Sequence, residues 1–498
     1  MKQHLRPIMF VGTCSDAGKS IINTAFCRIF KQDGYCPAPF KAQNMSLNSY
    51  STLEGGEMGR AQVVQAEACG IQPHTDMNPV LLKPTNDKSS QVILNGKPVG
   101  NMSAKDYFGT KSRKEELFKE ALKALHRLEK QHNPIVLEGA GSISELNLRD
   151  RDITNMRMAI EAKADTYLVA DIDRGGVFAA VYGSIALLKP EERERMKGII
   201  INKFRGDISL FNEGREILKK LTGLPVVGVI PWFNDIKIEE EDSVALESKN
   251  NHHTDGKINV AIILLKRMSN FTDFDVLEHD PRFNPYYTNN IDEIEKADII
   301  VLPGSKNTIE DLQTLRNNGI ATAIVKARKN RKKIIGICGG YQMMGMSIED
   351  PNGVEGNIST LPGLGLLPQH TVLEKEKITL QNDFAFLPVS EKHDCKGYEI
   401  HMGRTSIIGD APESPIAKLA DGRTDGYFLD DLCWGSYMHG ILDNPSVLDM
   451  LANELDTKTD NKPFDYAAFK EEQYDKLAEL VRKHMDLKYI YDSLAKSE

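Results

Sequence analysis

A single cysteine, Cys338, stands in GICGGYQMMG (336–345), straight after the apolar run Ile334–Ile337. Two readings compete for it. It is either a packed core thiol, the usual fate of cysteine, or a nucleophile held on a sharp strand-to-helix turn. A free thiol ionises near pH 8.5, so the second reading needs a helix N-terminus or an imidazole to favour the thiolate. His439, in WGSYMHGIL, is the imidazole candidate, 439 − 338 = 101 positions downstream. Such partners meet in space rather than in sequence. VLPGSKNT (301–308) ends another apolar run at Gly304 and Ser305. Backbone N–H groups there, with that of Gly339, can form an oxyanion hole. The chemistry of this set is nucleophilic acyl transfer.

A second set lies at the N-terminus. VGTCSDAGKS (11–20) follows the apolar run PIMFV and opens a helical pattern near Ser20. It departs from the phosphate-loop pattern GxxxxGK[ST] in one place, with Thr13 where the first glycine belongs and Gly12 one position earlier. The physics survives that change. Backbone N–H groups from Gly12 and Thr13 through Ser15, Asp16, Ala17 and Gly18 cradle phosphates, Lys19 neutralises β/γ oxygens, and Ser20 can hold Mg²⁺. The bland alternative is a glycine-rich strand–helix turn. Acidic and amide residues follow other apolar runs: Glu138 in VLEGAGS, Asp171, Asp173 and Arg174 in VADIDRGG, Asn202 and Lys203 in IINKFRGD. Open α/β sheets bind ligands at the carboxyl ends of their strands. Glu138 is placed to share Mg²⁺ with Ser20, and Asn202 and Lys203 to read the base. ATP and Mg²⁺ are the expected ligands.

The elements that must position these residues alternate short apolar strands with helical patterns. Strands are predicted at Pro7–Val11, Ile135–Leu137, Tyr167–Asp171, Gly198–Ile201 and Val226–Ile230, and again at Ile258–Leu264, Ile299–Leu302 and Ile334–Ile337. Strands alternating with helices imply doubly wound parallel sheets. The length of 498 residues exceeds what one core supports, so two or three domains are expected. ESKNNHHTDGK (247–257) is polar and aperiodic, a linker candidate. The resulting division is 1–248, 257–444 and a charged, helical tail at 445–498, expected to close over the second domain. A net charge of −9 argues against general nucleic-acid binding. No apolar run reaches membrane-spanning length and no signal-peptide stretch opens the chain. Seven cysteines without CxxC pairs read as reduced thiols in a cytoplasmic protein.

Taken together, GTCSDAGKS, PFKAQNMSLNS (39–49), MGRAQ (58–62), NPVLLKP (78–84), DIDRGGVFA, INKFRGD, GICGGYQMMG, GYEIHMGR (397–404) and YMHG resemble the cobyric acid synthase family, glutamine-hydrolysing amidases of cobalamin biosynthesis. The likeness runs in order from about residue 7 to 444. It implies a dethiobiotin-synthetase-like P-loop ATPase domain at 1–248 and a class I glutamine amidotransferase domain at 257–444. It further implies Cys338 as nucleophile, His439 as base, and a corrinoid polycarboxylate as substrate beside glutamine. Adenosylcobyrinic acid a,c-diamide would be amidated on its b, d, e and g side chains, through acyl phosphates and glutamine-derived ammonia.

Two departures stand out. Guanine- and anthranilate-type relatives carry a glutamate two residues after the histidine, where this chain has Ile441, so the orienter of His439 is open between Glu399 and His401. Dethiobiotin synthetase has an aspartate metal ligand near its second strand, where this chain reads KAQNMS with Gln43 and Asn44. An anionic substrate on an acidic protein calls for a local basic cluster, drawn from Lys41, Arg60, Lys83, Arg174, Lys203 and Arg205, with Gln43 and Asn44 beside it. The rival readings are a cobyrinic acid a,c-diamide synthase-type amidase, and a P-loop ATPase switch with an inactive amidotransferase domain.

Overall fold

The computed structural model describes residues 2–86, 89–103, 111–241, 249–453 and 464–495. Two six-stranded sheets carry the chemistry. The first has the order Val226–Pro231, Met196–Phe204, Asp165–Asp171, Ile8–Gly12, Ile135–Glu138, Ala38–Phe40, all parallel. Its strands are apolar along their length because both faces are covered. Met9 and Val11 pack into one core and Ile8 and Phe10 into the opposite one, following the two-residue alternation of a strand. The chain leaves Ile8–Gly12 in one direction and returns on its other side, so the loop after this strand opens at a topological switch point.

The second sheet has the order Phe283–Thr288, Ile258–Ile263, Ile299–Leu302, Lys333–Ile337, Cys433–Ser436, Tyr427–Asp430. Its first five strands run parallel and Tyr427–Asp430 closes the edge antiparallel. A long antiparallel hairpin, Gln369–Phe386 with Cys395–Ile407, anchors a mixed sheet beside it, in which Ser347–Glu349 runs parallel to Gln369–Phe386. The hairpin register shifts between Leu373 and Ile378.

The predicted strands match observed ones to within a few residues at their ends. The linker candidate is tied down where it is described: Lys249 bonds Asp275 and Glu278, and His253 bonds Glu293; Glu247 and Ser248 lie outside the described residues. One expectation changes. The tail does not close over the second sheet as a unit. Helix Pro445–Asn453 packs there through Val447, Leu448 and Leu451. Helices Tyr466–His484 and Leu487–Leu494 cover the first sheet instead. The reason is an apolar stripe, Tyr474, Leu477, Ala478 and Val481, at helical spacing. Arg28–Asp475 (2.7 Å) and Arg482–Asp33 (2.7 Å) border it, and Asp486 N–H donates to the Val227 carbonyl at 2.7 Å. Among the described residues no helix is long and apolar enough to cross a membrane.

Candidate active sites

The turn at Cys338 answers the question its glycines raise. Cys338 has φ +50° and ψ −109°, a positive-φ conformation that costs about 1–3 kcal/mol in a non-glycine residue and clusters at functional sites. It joins the strand Lys333–Ile337 to the helix Gly339–Met344. Gly340 lies against the Leu302 backbone carbonyl, with no room for a Cβ. The turn is therefore clamped between two strands.

Strand pairing then brings His439 in. Gly336 pairs with Gly435 and Ile337 with Ser436, so the two chains leave the sheet side by side. Cys338 N–H donates to Ser436 O at 2.8 Å. Both side chains are buried, at 6% and 1% exposure. His439 Nδ1 donates to Asp273 Oδ2 at 2.7 Å, and Gly440 N–H donates to Oδ1 at 3.1 Å. Burial alone would lower the His439 pKa; the charge of Asp273 and the adjacent Cys338 side chain outweigh it and raise the pKa to about 10. Asp273 is the orienter that sequence reasoning left open. Glu399 and His401 do not take that role: His401 bonds Gly403 O (2.8 Å) and Glu399 (3.4 Å), and Glu399 turns to Asn382 and Arg423. Gly304 and Gly339 converge on the same place. A Cβ at Gly304 would stand 3.3 Å from His439 Cε1, and one at Gly339 would stand 2.8 Å from Ser305 N.

On the first sheet, the loop after Ile8–Gly12 feeds the 14-residue helix Lys19–Gln32, which carries no acid in its first turn. That leaves the positive end of the helix to an anion. Gly18 (φ +95°) has no space for a side chain beside Asn202. Asn202 Nδ2 donates to Ala17 O at 2.9 Å and Lys203 Nζ to Asp16 O at 2.6 Å, so both brace the loop rather than stand free of it. Lys19 Nζ bonds Cys14 O (3.0 Å) and Gly141 O (3.1 Å), curled inside its own loop; burial first, then the charge of Lys41, lowers its pKa. Thr13 N–H donates to Val169 O at 3.1 Å, fixing the loop to the neighbouring strand, while Ser15 and Asp16 are exposed at its tip.

Ser20 Oγ lies 2.9 Å from Glu138 Oε1 and 3.0 Å from Glu241 Oε2. Lys41 Nζ bridges the same two carboxylates at 2.8 and 3.0 Å. Glu241, missed from sequence, is thus a second carboxylate at the expected Mg²⁺ position. Its signal was the acidic run Glu239–Glu241 just beyond the last strand of the sheet. Burial opposes its charge; Lys41 outweighs burial and holds its carboxyl below the usual range. Among the described residues no group of three or more His, Cys, Asp or Glu forms a metal cage. Two carboxylates and a hydroxyl fit Mg²⁺ all the same, since this ion keeps waters and takes substrate phosphate oxygens.

These residues line a cleft of about 1680 Å³ that also includes Gln43, Asn44, Arg174, Asn202 and Lys203. Small-ligand pockets run to about 300–1,000 Å³, so the cleft has room for a nucleotide and a second, bulky molecule. The six expected cations do not gather into one patch. Lys41 is closed by Glu138 and Glu241, and Arg60 by Glu239 (2.6 Å). Lys83 is buried on Glu57 (2.6 Å) and Ser49 (2.7 Å). Arg174 and Lys203 meet at Asp16 and Asp171, while Arg205 pairs with Asp173 and stacks on Trp232. Arg60, Lys83 and Arg205 stand outside the cleft lining. Each cation has an acidic neighbour that sequence spacing does not reveal.

The two centres are joined through residues 46–49. Ser46 Oγ bonds Glu241 O (3.2 Å), Thr272 Oγ1 donates to Asn48 Oδ1 (3.0 Å), and Asn270 Nδ2 donates to Ser49 O (2.9 Å). Thr272 precedes Asp273, so one stretch touches both candidate sites.

Comparison with known proteins gives the same division of chemistry. Residues 8–245 match the CobQ/CobB/MinD/ParA nucleotide binding domain, and residues 259–447 the CobB/CobQ-like glutamine amidotransferase domain. A cobyric acid synthase of Parabacteroides distasonis is 80% identical over 494 residues, 99% of this chain and 100% of that one. One from Bacteroides fragilis is 60% identical over 498 residues, with both chains fully covered. One from Syntrophobacter fumaroxidans is 47% identical over 507 residues, covering 97% and 98%.

Proposed function

This chain belongs to the cobyric acid synthase family, ATP-dependent, glutamine-hydrolysing amidases of cobalamin biosynthesis, and from that premise we propose that it amidates the b, d, e and g carboxylates of adenosylcobyrinic acid a,c-diamide to give adenosylcobyric acid, working in the cytoplasm. The observation that carries the reading is the buried Asp273–His439 pair beside Cys338, an intact amide-cleaving set on the same chain as the phosphate loop.

The nitrogen half of the reaction follows from that set. Cys338 Sγ attacks the side-chain amide carbon of glutamine. His439, held by Asp273, delivers a proton to the departing nitrogen, and ammonia leaves. The carbonyl oxygen gathers negative charge against the N–H groups of Gly304 and Gly339. Water, losing its proton to His439, then opens the thioester and frees glutamate. The acyl half takes place over the first sheet. A carboxylate is a poor electrophile with a poor leaving group, so its oxygen first takes the γ-phosphoryl group of ATP. Ammonia displaces phosphate from the resulting acyl phosphate. Phosphoryl transfer depends on positioning and charge neutralisation, which Lys19, the loop N–H groups and the helix end supply. Ser20, Glu138 and Glu241 would hold Mg²⁺, whose contribution is to neutralise charge on the phosphate oxygens. Ammonia must travel unprotonated, which calls for a sheltered passage past residues 46–49.

The intact triad speaks against an ATPase switch with a dead amidotransferase domain. The decisive experiment supplies the full chain with ATP, glutamine and either adenosylcobyrinic acid a,c-diamide or, in parallel, cobyrinic acid, and counts added amides by mass. Four additions support the reading. A product only from cobyrinic acid, with two additions, supports the sister amidase; glutamine left intact overturns both.

A further inference from the structure

The loop that carries Gly304 runs on through Ser305 to Lys306, and Lys306 is unlike the other cations near either site. Among the described residues its ammonium makes no hydrogen bond and no ion pair, although the residue is half-buried. Its charged neighbours are Lys83, Glu355, Glu57 and the Cys338 side chain. The backbone holds it in place: Lys306 N–H donates to Arg267 O at 2.9 Å, and Ser305 packs against Gly339, the residue after the cysteine. An unpaired cation in a low-dielectric corner is costly unless a ligand supplies the counter-charge.

A carboxylate of the opposite kind stands close by. Glu355 accepts from Ile309 N–H at 3.1 Å and from Thr308 Oγ1 at 3.3 Å. Thr308 also reaches Gln342 Oε1 at 3.2 Å, on the helix that Cys338 opens. Glu355 is half-buried, and a carboxylate has lone pairs to spare after two such bonds. A cation at 306 and a carboxylate at 355, brought in from two separate segments, therefore stand near the nucleophile. The amide carbon of glutamine is three carbon–carbon bonds from a carbon bearing one carboxylate and one ammonium.

We propose that Lys306 binds the α-carboxylate of glutamine and Glu355 its α-ammonium, so that the loop supplying the oxyanion donor also selects the amino-acid end of the nitrogen donor. This rests on the reading that Cys338 hydrolyses glutamine. A simple amide cannot fill both partners, and it would leave Lys306 unpaired.

The test measures glutaminase kinetics of the full chain with three probes: L-glutamine, L-glutamine α-amide, which lacks the carboxylate, and N-acetyl-L-glutamine, which lacks the ammonium. Lys306→Met should raise KM for L-glutamine by about 10- to 100-fold, the loss of one charge-assisted bond, and leave kcat little changed. KM for the α-amide should stay put, so the preference for glutamine over it collapses. Glu355→Gln should erase the preference over the N-acetyl probe in the same way. Lys306→Arg should restore part of the affinity, and it stands in if the methionine variant does not fold. A KM for L-glutamine within about twofold of wild type in both Lys306 variants overturns the proposal. An equal rise for glutamine and its α-amide overturns it too. Wild-type chain that hydrolyses no glutamine sinks the underlying reading as well, a result distinct from either.

Discussion

At the residue scale, the proposed function makes the Asp273–His439 contact the control point of glutamine hydrolysis. Asp273→Asn keeps the shape and removes the charge that orients and stabilises the imidazolium. Glutaminase kcat/KM should fall by about 10²- to 10⁴-fold, while amidation fed by ammonium salts continues. The pair also has a stability signature. The pKa of His439 rises from 6.5 to about 10 on folding, so its contribution is fully present below pH 6.5 and is lost as pH climbs through 10. The melting temperature of the wild type should fall over that window, and Asp273→Asn should lose most of the slope. On the first sheet, Glu241→Gln removes half of the carboxylate pair around Ser20. The Mg²⁺ concentration needed for half-maximal ATP turnover should rise by about tenfold or more, with glutaminase KM unchanged as the internal control.

At the element scale, each centre is a strand, a tight turn and a helix, and the turn is where substitution is felt. Gly340→Ala pushes a methyl group into the Leu302 carbonyl, backbone that cannot move without distorting the sheet. Overpacking of this kind costs about 1–3 kcal/mol. The expected outcome is a lower melting temperature with glutaminase reduced more than ATP turnover, since the displaced element carries Cys338. The helices of the tail belong to the other sheet. Their apolar stripe lies over the strand Val226–Pro231 and the helix Lys19–Gln32, and so supports the helix that follows the phosphate-loop sequence.

At the scale of the whole molecule, a buried charge cluster ties the two halves together. The register shift in the long hairpin carries Lys377 onto Glu57, which Lys83 also contacts. Burial lowers the Lys377 pKa to about 7 against the pull of Glu57. Against burial, the charges of Lys377 and Lys83 hold the Glu57 carboxyl far below the usual carboxylate range. Glu57→Gln leaves two buried lysines sharing no counter-charge. A broken buried pair costs about 3–5 kcal/mol, and here the cost falls on the junction between sites. The expected result is a lower melting temperature and more glutamine hydrolysed per amide formed, read from glutamate and product yields in one assay.

The sequence by itself determined the two sheets, the phosphate loop at Gly12–Ser20 and the turn at Cys338. These are local signals: short apolar runs, glycines at fixed offsets, a lysine and a hydroxyl at the start of a helix. His439 was within reach only because an acyl-transfer thiol needs a base. The partners of these residues were not local. Asp273 lies 439 − 273 = 166 positions from His439, and Glu241 lies 241 − 20 = 221 from Ser20. Acids of that kind abound along the chain, and nothing in their spacing marks one as the orienter. The same holds for the six cations, whose charges are met by carboxylates from other elements, and for the tail, whose stripe fits any apolar face. Pairing of distant strands chose among these equivalents, because burial admits a charge only where a complementary group arrives with it.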